Sequence, residues 1–340
     1  MQSALSLLGL AAVSTAVVWY GSDLLESSSE QLSEHYGLPP AVHGAVVVAV
    51  GSSFPELASV VLSTVLHDSF GLGVGAIVGS AIFNVLVIPA VATLFSDRLE
   101  ADRNVVYKEA QFYMLSVAVL LLVFSFGVIY SPRPVTDAGG LVTTVTRPMA
   151  LLPILLYGLY IFIQYQDTAD YDPPSPGGTV DVGKQWALLA ASLVIVVVSV
   201  EGLVHAARGF ADVFGTPEYL WGLTVVAAGT SLPDTLVSVR AARDDRGVTS
   251  LANVLGSNIF DLLVAVPVGV LIVGTVEFNY GAAVPMMGFL TVATVVLFTA
   301  MRTDLELTDG EATVLLTTYL SFVGWMVAET AGVTSFVPGV

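Results

Sequence analysis

The chain has 340 residues, 55% of them hydrophobic and only 11% charged. Its mean hydropathy of +0.83 is more than a soluble core can hide, so the fold class is expected to be an all-α polytopic membrane protein whose first partner is the lipid bilayer. A net charge of −17 argues against nucleic acid as a partner, and the absence of cysteine excludes disulfides and thiolate chemistry, leaving oxygen ligands and hard cations such as Ca²⁺, Mg²⁺ or Na⁺.

Apolar stretches long enough to cross a bilayer lie near Ala4–Tyr20, Ala41–Leu66, Phe70–Leu94, Phe112–Tyr130 and Met149–Gln164. The first lacks the basic leader of a secretory signal and ends in Trp19 and Tyr20, so it is expected to be retained. After the fifth span come a Pro-, Gly- and Asp-rich stretch that reads as a short solvated cytoplasmic linker over 167–184, and a second set of spans near Trp186–Ala206, Tyr219–Val239, Val248–Val273, Ala282–Ala300 and Ala312–Ala328. The expected organisation is about ten helices in two groups of five, over 1–166 and 185–340. Lysine occurs only at Lys108 and Lys184, while acidic clusters such as Asp167, Asp170 and Asp172 sit in the loops. That surface fits the cell membrane of a salt-adapted prokaryote.

The two groups repeat one another. An offset of about 178 positions lays Asp23 on Glu201, Gly37 on Gly215, Pro39 on Pro217, Gly44 on Gly222, Gly51 on Gly229, Ser53 on Ser231 and Pro55 on Pro233. With a one-residue gap, Gly79-Ser80 falls on Gly256-Ser257 and Ile82-Phe83 on Ile259-Phe260. An odd number of spans per copy inverts the second copy in the membrane. With the N-terminus outside, Arg98, Arg103, Lys108, Lys184, Arg240, Arg243, Arg246 and Arg302 fall on the cytoplasmic side, leaving Arg133, Arg147 and Arg208 outside.

Three acids sit deep in the apolar segments: Glu56, Asp234 and Asp261. An ionised carboxylate at the bilayer centre costs at least about 2.5–3.5 kcal/mol on insertion scales. No Lys or Arg lies near them in sequence, so the most economical counter-charge is a transported cation. Glu56 ends GSSFPE and Asp234 ends GTSLPD. Proline removes a backbone donor and clashes with the preceding turn, so both helices are expected to break where the acid emerges. Freed carbonyls, the hydroxyls of Ser52, Ser53, Thr230 and Ser231 and the carboxylates together offer the oxygens that Ca²⁺ requires, typically about six to eight. The following helices carry GSAIFN and GSNIFD, in which Ser80 and Asn84, and Ser257 and Asp261, lie one turn apart on one face. Gly71, Gly73, Gly75 and Gly79 are expected to let that stripe pack closely. His43 and His205 read as structural, Asp23 and Glu201 as solvated at the membrane interface, and His67 and Asp68 as a turn without assigned function.

The paired motifs GSSFPEL with GSAIFN, and GTSLPDT with GSNIFD, resemble the cation/calcium exchanger superfamily, prokaryotic sodium/calcium exchanger type. The resemblance covers the whole predicted layout and implies a central four-helix ion site. In it Glu56 and Asp234 would be shared ligands, with backbone oxygens near Ser52 and Thr230. Ser53, Ser80, Ser231 and Ser257 would bind Na⁺, with Asn84 and Asp261 at the middle position. Asp234 stands where many prokaryotic members carry Glu, and Ala81 where Asn is usual. Asp261 resembles the K⁺-dependent branch, and the GNA-type motif of the proton-coupled branch is absent.

The expected function is Na⁺/Ca²⁺ antiport by alternating access, with K⁺-dependent or H⁺-coupled exchange as alternatives. Ca²⁺ and Na⁺ would bind as substrates, K⁺ being a further candidate; neither a cofactor, nor an enzymatic activity, nor an obligatory protein partner is expected. Two further rivals are an intramembrane aspartyl protease with Asp234 and Asp261 as its dyad, which leaves Glu56 unexplained, and a passive cation channel, which needs no inverted repeat.

Overall fold

The computed structural model describes residues 3–37, 49–96, 98–103, 105–131, 141–167 and 180–337. In the first half, the helices are α1 (Ala4–His35), α2 (Ala49–Ser52), α3 (Phe54–Val65), α4 (Phe70–Leu94), α5 (Ala110–Tyr130) and α6 (Arg147–Asp167). The second half has α7 (Val182–Phe214), α8 (Glu218–Trp221), α9 (Ala227–Arg243), α10 (Gly247–Phe260), α11 (Val266–Val273), α12 (Tyr280–Arg302) and α13 (Asp309–Thr330). Three π turns interrupt them: Val105–Glu109 before α5, Gly222–Val226 between α8 and α9, and Asp261–Ala265 between α10 and α11. Among the described residues, nine helical segments are long and apolar enough to cross a membrane, and Phe54–Val65 is a shorter apolar helix. The chain is therefore a multi-pass membrane protein. Residues 41–48 of the expected second span, with His43 and Gly44, lie outside the described residues, as do Pro39, Arg133, Asp170 and Asp172.

Most spans run further than their apolar runs. α1 continues past Tyr20 through a polar stretch to His35, and α7 begins at Val182, where the Asp181 side chain accepts from the Lys184 amide at 3.1 Å. At about 1.5 Å per residue these two helices exceed a hydrocarbon core of about 30 Å, so composition alone underestimates their length. Both end on a left-handed glycine, Gly37 at φ 62° and Gly215 at φ 65°, where a side chain would be strained. They pack antiparallel along their length. Leu7 meets Gly209, Ser14 meets Gly202, Gly21 meets Val196, and Gln185 donates to Gln31 at 2.8 Å.

Most of the remaining helices pack around α4, which is buried almost throughout. A methyl group at Gly79 would collide with the Leu223 carbonyl, and one at Gly75 with the Tyr219 carbonyl, so α4 lies backbone to backbone against the chain leading into α9. Gly73 touches Val60 and Ser63 of α3 in the same way, whereas Gly71 meets only the Phe278 side chain at ordinary contact distance. Expected close packing thus holds for three glycines and fails for Gly71, which sits at the helix end.

Four short strands clamp the ends of the bundle. β1 (Leu99–Glu100) pairs antiparallel with β4 (Glu306–Leu307), and β2 (Val142–Thr146) with β3 (Thr275–Asn279). The all-α expectation omitted them because each depends on a partner more than 100 residues away. Beside β1 and β4, Arg98 lies 3.6 Å from Glu306, Arg243 stacks over Phe95 and Arg302 over Tyr107. Beside β2 and β3, Arg147 donates to the carbonyls of Leu271 and Ile272 at 2.9 and 3.1 Å, where the exposed carbonyls of a helix C-terminus favour a cation.

Candidate functional site

The two proline motifs are built differently. Ser53 leaves helical geometry at φ −91°, ψ 9°, which separates α2 from α3. Pro55 then falls in the first turn, where a missing N–H goes unused, and Glu56 stands beside the positive end of α3. In the second motif Pro233 lies inside continuous α9. The expected break is therefore found in the first motif and not in the second. Pro233 has no N–H to offer the Gly229 carbonyl, yet α9 continues through it. Membrane helices can carry a proline in this way without breaking.

Packing brings all ten predicted site residues into the interior. Glu56, Asp234 and Asp261 are at most 1% exposed, as are Ser53, Ser80, Asn84, Thr230, Ser231 and Ser257, and Ser52 is 6% exposed. Hydrogen bonds cross between the halves in a reciprocal pattern. Ser53 donates to the Ser257 carbonyl at 3.4 Å, and the equivalent residues Ser80 and Ser231 share a 2.7 Å hydrogen bond. Ser52 and Ser257 share another at 3.0 Å.

Neither oxygen of Glu56, Asp234 or Asp261 has a hydrogen-bond partner, nor does Asn84 Oδ1. The hydroxyls of Thr230 and Ser80 stand near Glu56, Ser257 near Asp234 and Ser53 near Asp261, and the three acids are close enough to repel one another. Buried carboxylates ordinarily require pairing, and no Lys or Arg supplies it in the described interior. Nor do three or more His, Asp or Glu side chains converge into an acid-only cage for one metal among the described residues. What the site offers is a mixed set of carboxylate, amide and hydroxyl oxygens, the donor type of hard cations.

Asn258, the third residue of GSNIFD, joins the two halves. Its side chain accepts from Asn84 Nδ2 at 2.9 Å and donates to the Ala81 carbonyl at 3.3 Å, tying α10 to α4. Because Ala81 and Asn258 occupy equivalent repeat positions, one amide spans the contact between the copies. Asn84 keeps its own oxygen unpaired as a consequence.

The turn after α3 is also more than a turn. His67 Nε2 lies 2.7 Å from Glu201, which sequence placed as solvated, and Arg208 donates to His67 Nδ1 at 2.8 Å and to Glu218 at 2.9 Å. A His ring accepting at Nδ1 carries its proton on Nε2, so His67 donates to Glu201. The chain continues as Ser69 donates to Glu218. Asp23 behaves as expected, exposed and 3.4 Å from Arg240.

The family model described as "Sodium/calcium exchanger protein" matches residues 6–166 and 184–328. The sodium/calcium exchanger MaX1 of Methanosarcina acetivorans is 28% identical over 336 residues, covering 89% of this chain and 93% of the relative. The inner membrane protein YrbG of Escherichia coli is 28% identical over 264 residues, covering 76% and 78%. Among solved structures, the sodium-calcium exchanger NCX_Mj superposes with a TM-score of 0.65 at 24% identity, covering 95% of this chain and 99% of that one, which shows a shared fold. With the family model spanning both halves and both motif pairs, the chain belongs to the sodium/calcium exchanger family.

Proposed function

We propose that this chain exchanges Na⁺ for Ca²⁺ across the cell membrane, with both ions bound in turn at the Glu56–Asp234–Asp261 site. The observation that carries the reading is the set of unpaired oxygens on three buried carboxylates and on Asn84. Leaving such charges uncompensated costs several kcal/mol per ion, and a cation removes that cost. Glu56 and Asp234, after the two prolines, are the principal Ca²⁺ ligands. Ser53, Ser80, Ser231 and Ser257 serve Na⁺, with Ser52 and Thr230 contributing backbone oxygens and Asn84 and Asp261 completing the centre.

Exchange follows from competition. A site that holds either Ca²⁺ or Na⁺ ions, but not both sets tightly, links opposing fluxes when it opens alternately to each side. Two inverted five-helix copies, over 1–166 and 185–340 with the linker 167–184 between them, suit this mechanism. The antiparallel packing of α1 on α7 and the reciprocal Ser53–Ser257 and Ser231–Ser80 contacts support the inversion. The basic residues gathered beside β1 and β4 support placing that end in the cytoplasm and the N-terminus outside. Acidic, lysine-poor loops support a salt-adapted prokaryotic host.

A protease is not compatible with a chain whose family is that of an exchanger, and it leaves Glu56 without a purpose. Asp261 keeps K⁺ as a candidate co-substrate. The deciding measurement uses protein reconstituted in vesicles loaded with Na⁺ and diluted into Na⁺-free buffer. ⁴⁵Ca²⁺ should accumulate, and parallel K⁺ and proton gradients identify the coupling ion. Absence of gradient-driven uptake by folded protein would sink the proposal, and Ca²⁺ flux without counter-ion exchange would make it a channel.

A further inference from the structure

The turn after α3 is matched in the repeat by the turn after α9, where Asp68 at φ 52° and Asp245 at φ 56° take the same left-handed conformation. The residue before each differs. Asp244 pairs with Arg246 of its own exposed turn at 3.2 Å. His67, only 13% exposed, reaches into the other half instead. It meets Glu201 at 2.7 Å and Arg208 at 2.8 Å, two turns apart on α7. Arg208 continues to Glu218 of α8, which also accepts from Ser69. The turn itself therefore has no need of an imidazole, and the contacts of this one join the two halves.

The donors fix the charge of the ring. Arginine can only donate, so His67 Nδ1 accepts and the ring is neutral with its proton on Nε2. A second proton can enter only at Nδ1, where it would point at the Arg208 N–H, cation against cation. Protonation and the Arg208 contact thus exclude one another. The Glu201 contact survives, because Nε2 already donates to it. The other charged groups around the ring are Asp68 in its own turn, His205 one turn along α7 from Glu201, and Glu218, which Arg208 and Ser69 hold. Imidazole is the side chain whose charge ordinarily changes across the physiological pH range.

We propose that His67 and Arg208 form a proton-sensitive latch between the halves, at the end of the bundle read above as extracellular. The site acids are at most 1% exposed, so ions reach them only when the halves part. Neutral His67 holds the turn to α7 at two points and favours the closed arrangement. A proton at Nδ1 expels Arg208, leaves one point, and shifts the population toward outward opening. The inference rests on the exchange and orientation proposed above and concerns residues outside the ion site.

The test uses right-side-out and everted membrane vesicles carrying the full-length chain, loaded with Na⁺, with the bath taken from about pH 8 to about pH 5. Wild type is compared with His67→Gln, whose amide can accept from Arg208 and donate to Glu201 throughout that range. Proton competition at the ion site acts on both proteins and cancels in their ratio. In right-side-out vesicles the ratio of half-saturating Ca²⁺ concentrations, wild type to variant, should fall about tenfold with acid, because apparent affinity follows the fraction of molecules open to that side. Arg208→Gln should respond to acid no more than His67→Gln does, and the double variant should add nothing. The response in everted vesicles alone would keep the latch and reverse the orientation. A ratio independent of pH in both preparations, or a full response in Arg208→Gln, would overturn the proposal. Purified protein gives a readout that needs no transport: acid should lower the melting temperature of wild type relative to His67→Gln, and an unchanged difference would also overturn the latch. Absence of Na⁺-driven uptake at every pH, with that melting difference present, would overturn the exchange reading and leave the latch contact standing.

Discussion

The hydroxyls of Ser80 and Ser231 lie 2.7 Å apart, joining the second motif of one half to the first motif of the other. Ser80 also stands beside Glu56, so this contact would shape the proposed ion site as well as the packing. Ser80→Ala and Ser231→Ala are each expected to cost about 1 kcal/mol. The double variant should lose less than the sum, because both changes remove the same hydrogen bond. Strict additivity of the melting shifts would show that the two hydroxyls act independently.

Glu56→Gln and Asp234→Asn remove charge while keeping size. Each should lower Na⁺-driven ⁴⁵Ca²⁺ uptake by about a hundredfold, since a divalent ion then loses one of few charged ligands. Both variants are expected to fold at least as well as wild type, because each relieves an unpaired buried charge. Uptake above half of wild type in either variant would mean that Ca²⁺ binds elsewhere.

Replacing Asp261 by Asn should be milder. Ca²⁺ uptake at saturating Na⁺ is expected to fall only a few-fold, about 1 kcal/mol of binding, while its dependence on Na⁺ or K⁺ concentration changes. Loss of transport as complete as in Glu56→Gln would place Asp261 among the principal Ca²⁺ ligands.

Gly79 and Gly256 are equivalent in the repeat but not in their surroundings. A methyl group at Gly79 would strike the Leu223 carbonyl, whereas nothing lies within 4 Å of one at Gly256. Gly79→Ala should therefore destabilise by about 1–3 kcal/mol and Gly256→Ala hardly at all. Equal melting temperatures for the two variants would contradict the close approach of α4 to the π turn Gly222–Val226.

His67 ties the turn after α3 to α7 through Glu201 and Arg208. His67→Ala should lower stability by about 1–2 kcal/mol, the usual cost of leaving charged partners short of a hydrogen bond. His67→Gln should recover part of it. A melting curve unaffected by either change would reduce the network to a surface contact.

Which features were legible in advance follows the range of the forces behind them. Helix spans such as Phe70–Leu94 follow from composition, because a bilayer demands a minimum apolar length whatever the neighbours are. That the ten candidate residues gather in the interior is readable because chemistry unwelcome in hydrocarbon, carboxylates after prolines with hydroxyls around them, occurs twice in the same order. The end of α1 at His35 was not readable, since a polar helix end is supported by its contact with α7. Nor was the continuity of α9 through Pro233, since a proline breaks one membrane helix and is carried by another according to its packing.

The paired motifs GSSFPE and GTSLPD determine that buried acids meet oxygen donors in a membrane, because residue type and spacing are properties of the chain alone. Tertiary packing decides which groups remain unpaired once the helices are assembled. Asn258 reaches across to Asn84 and Ala81, and Ser80 is spent on Ser231. Glu56, Asp234 and Asp261 are left without donors. A hydrogen bond between residues 151 or 174 positions apart leaves no trace in local sequence, since its free energy depends on geometry that exists only after the two halves have packed.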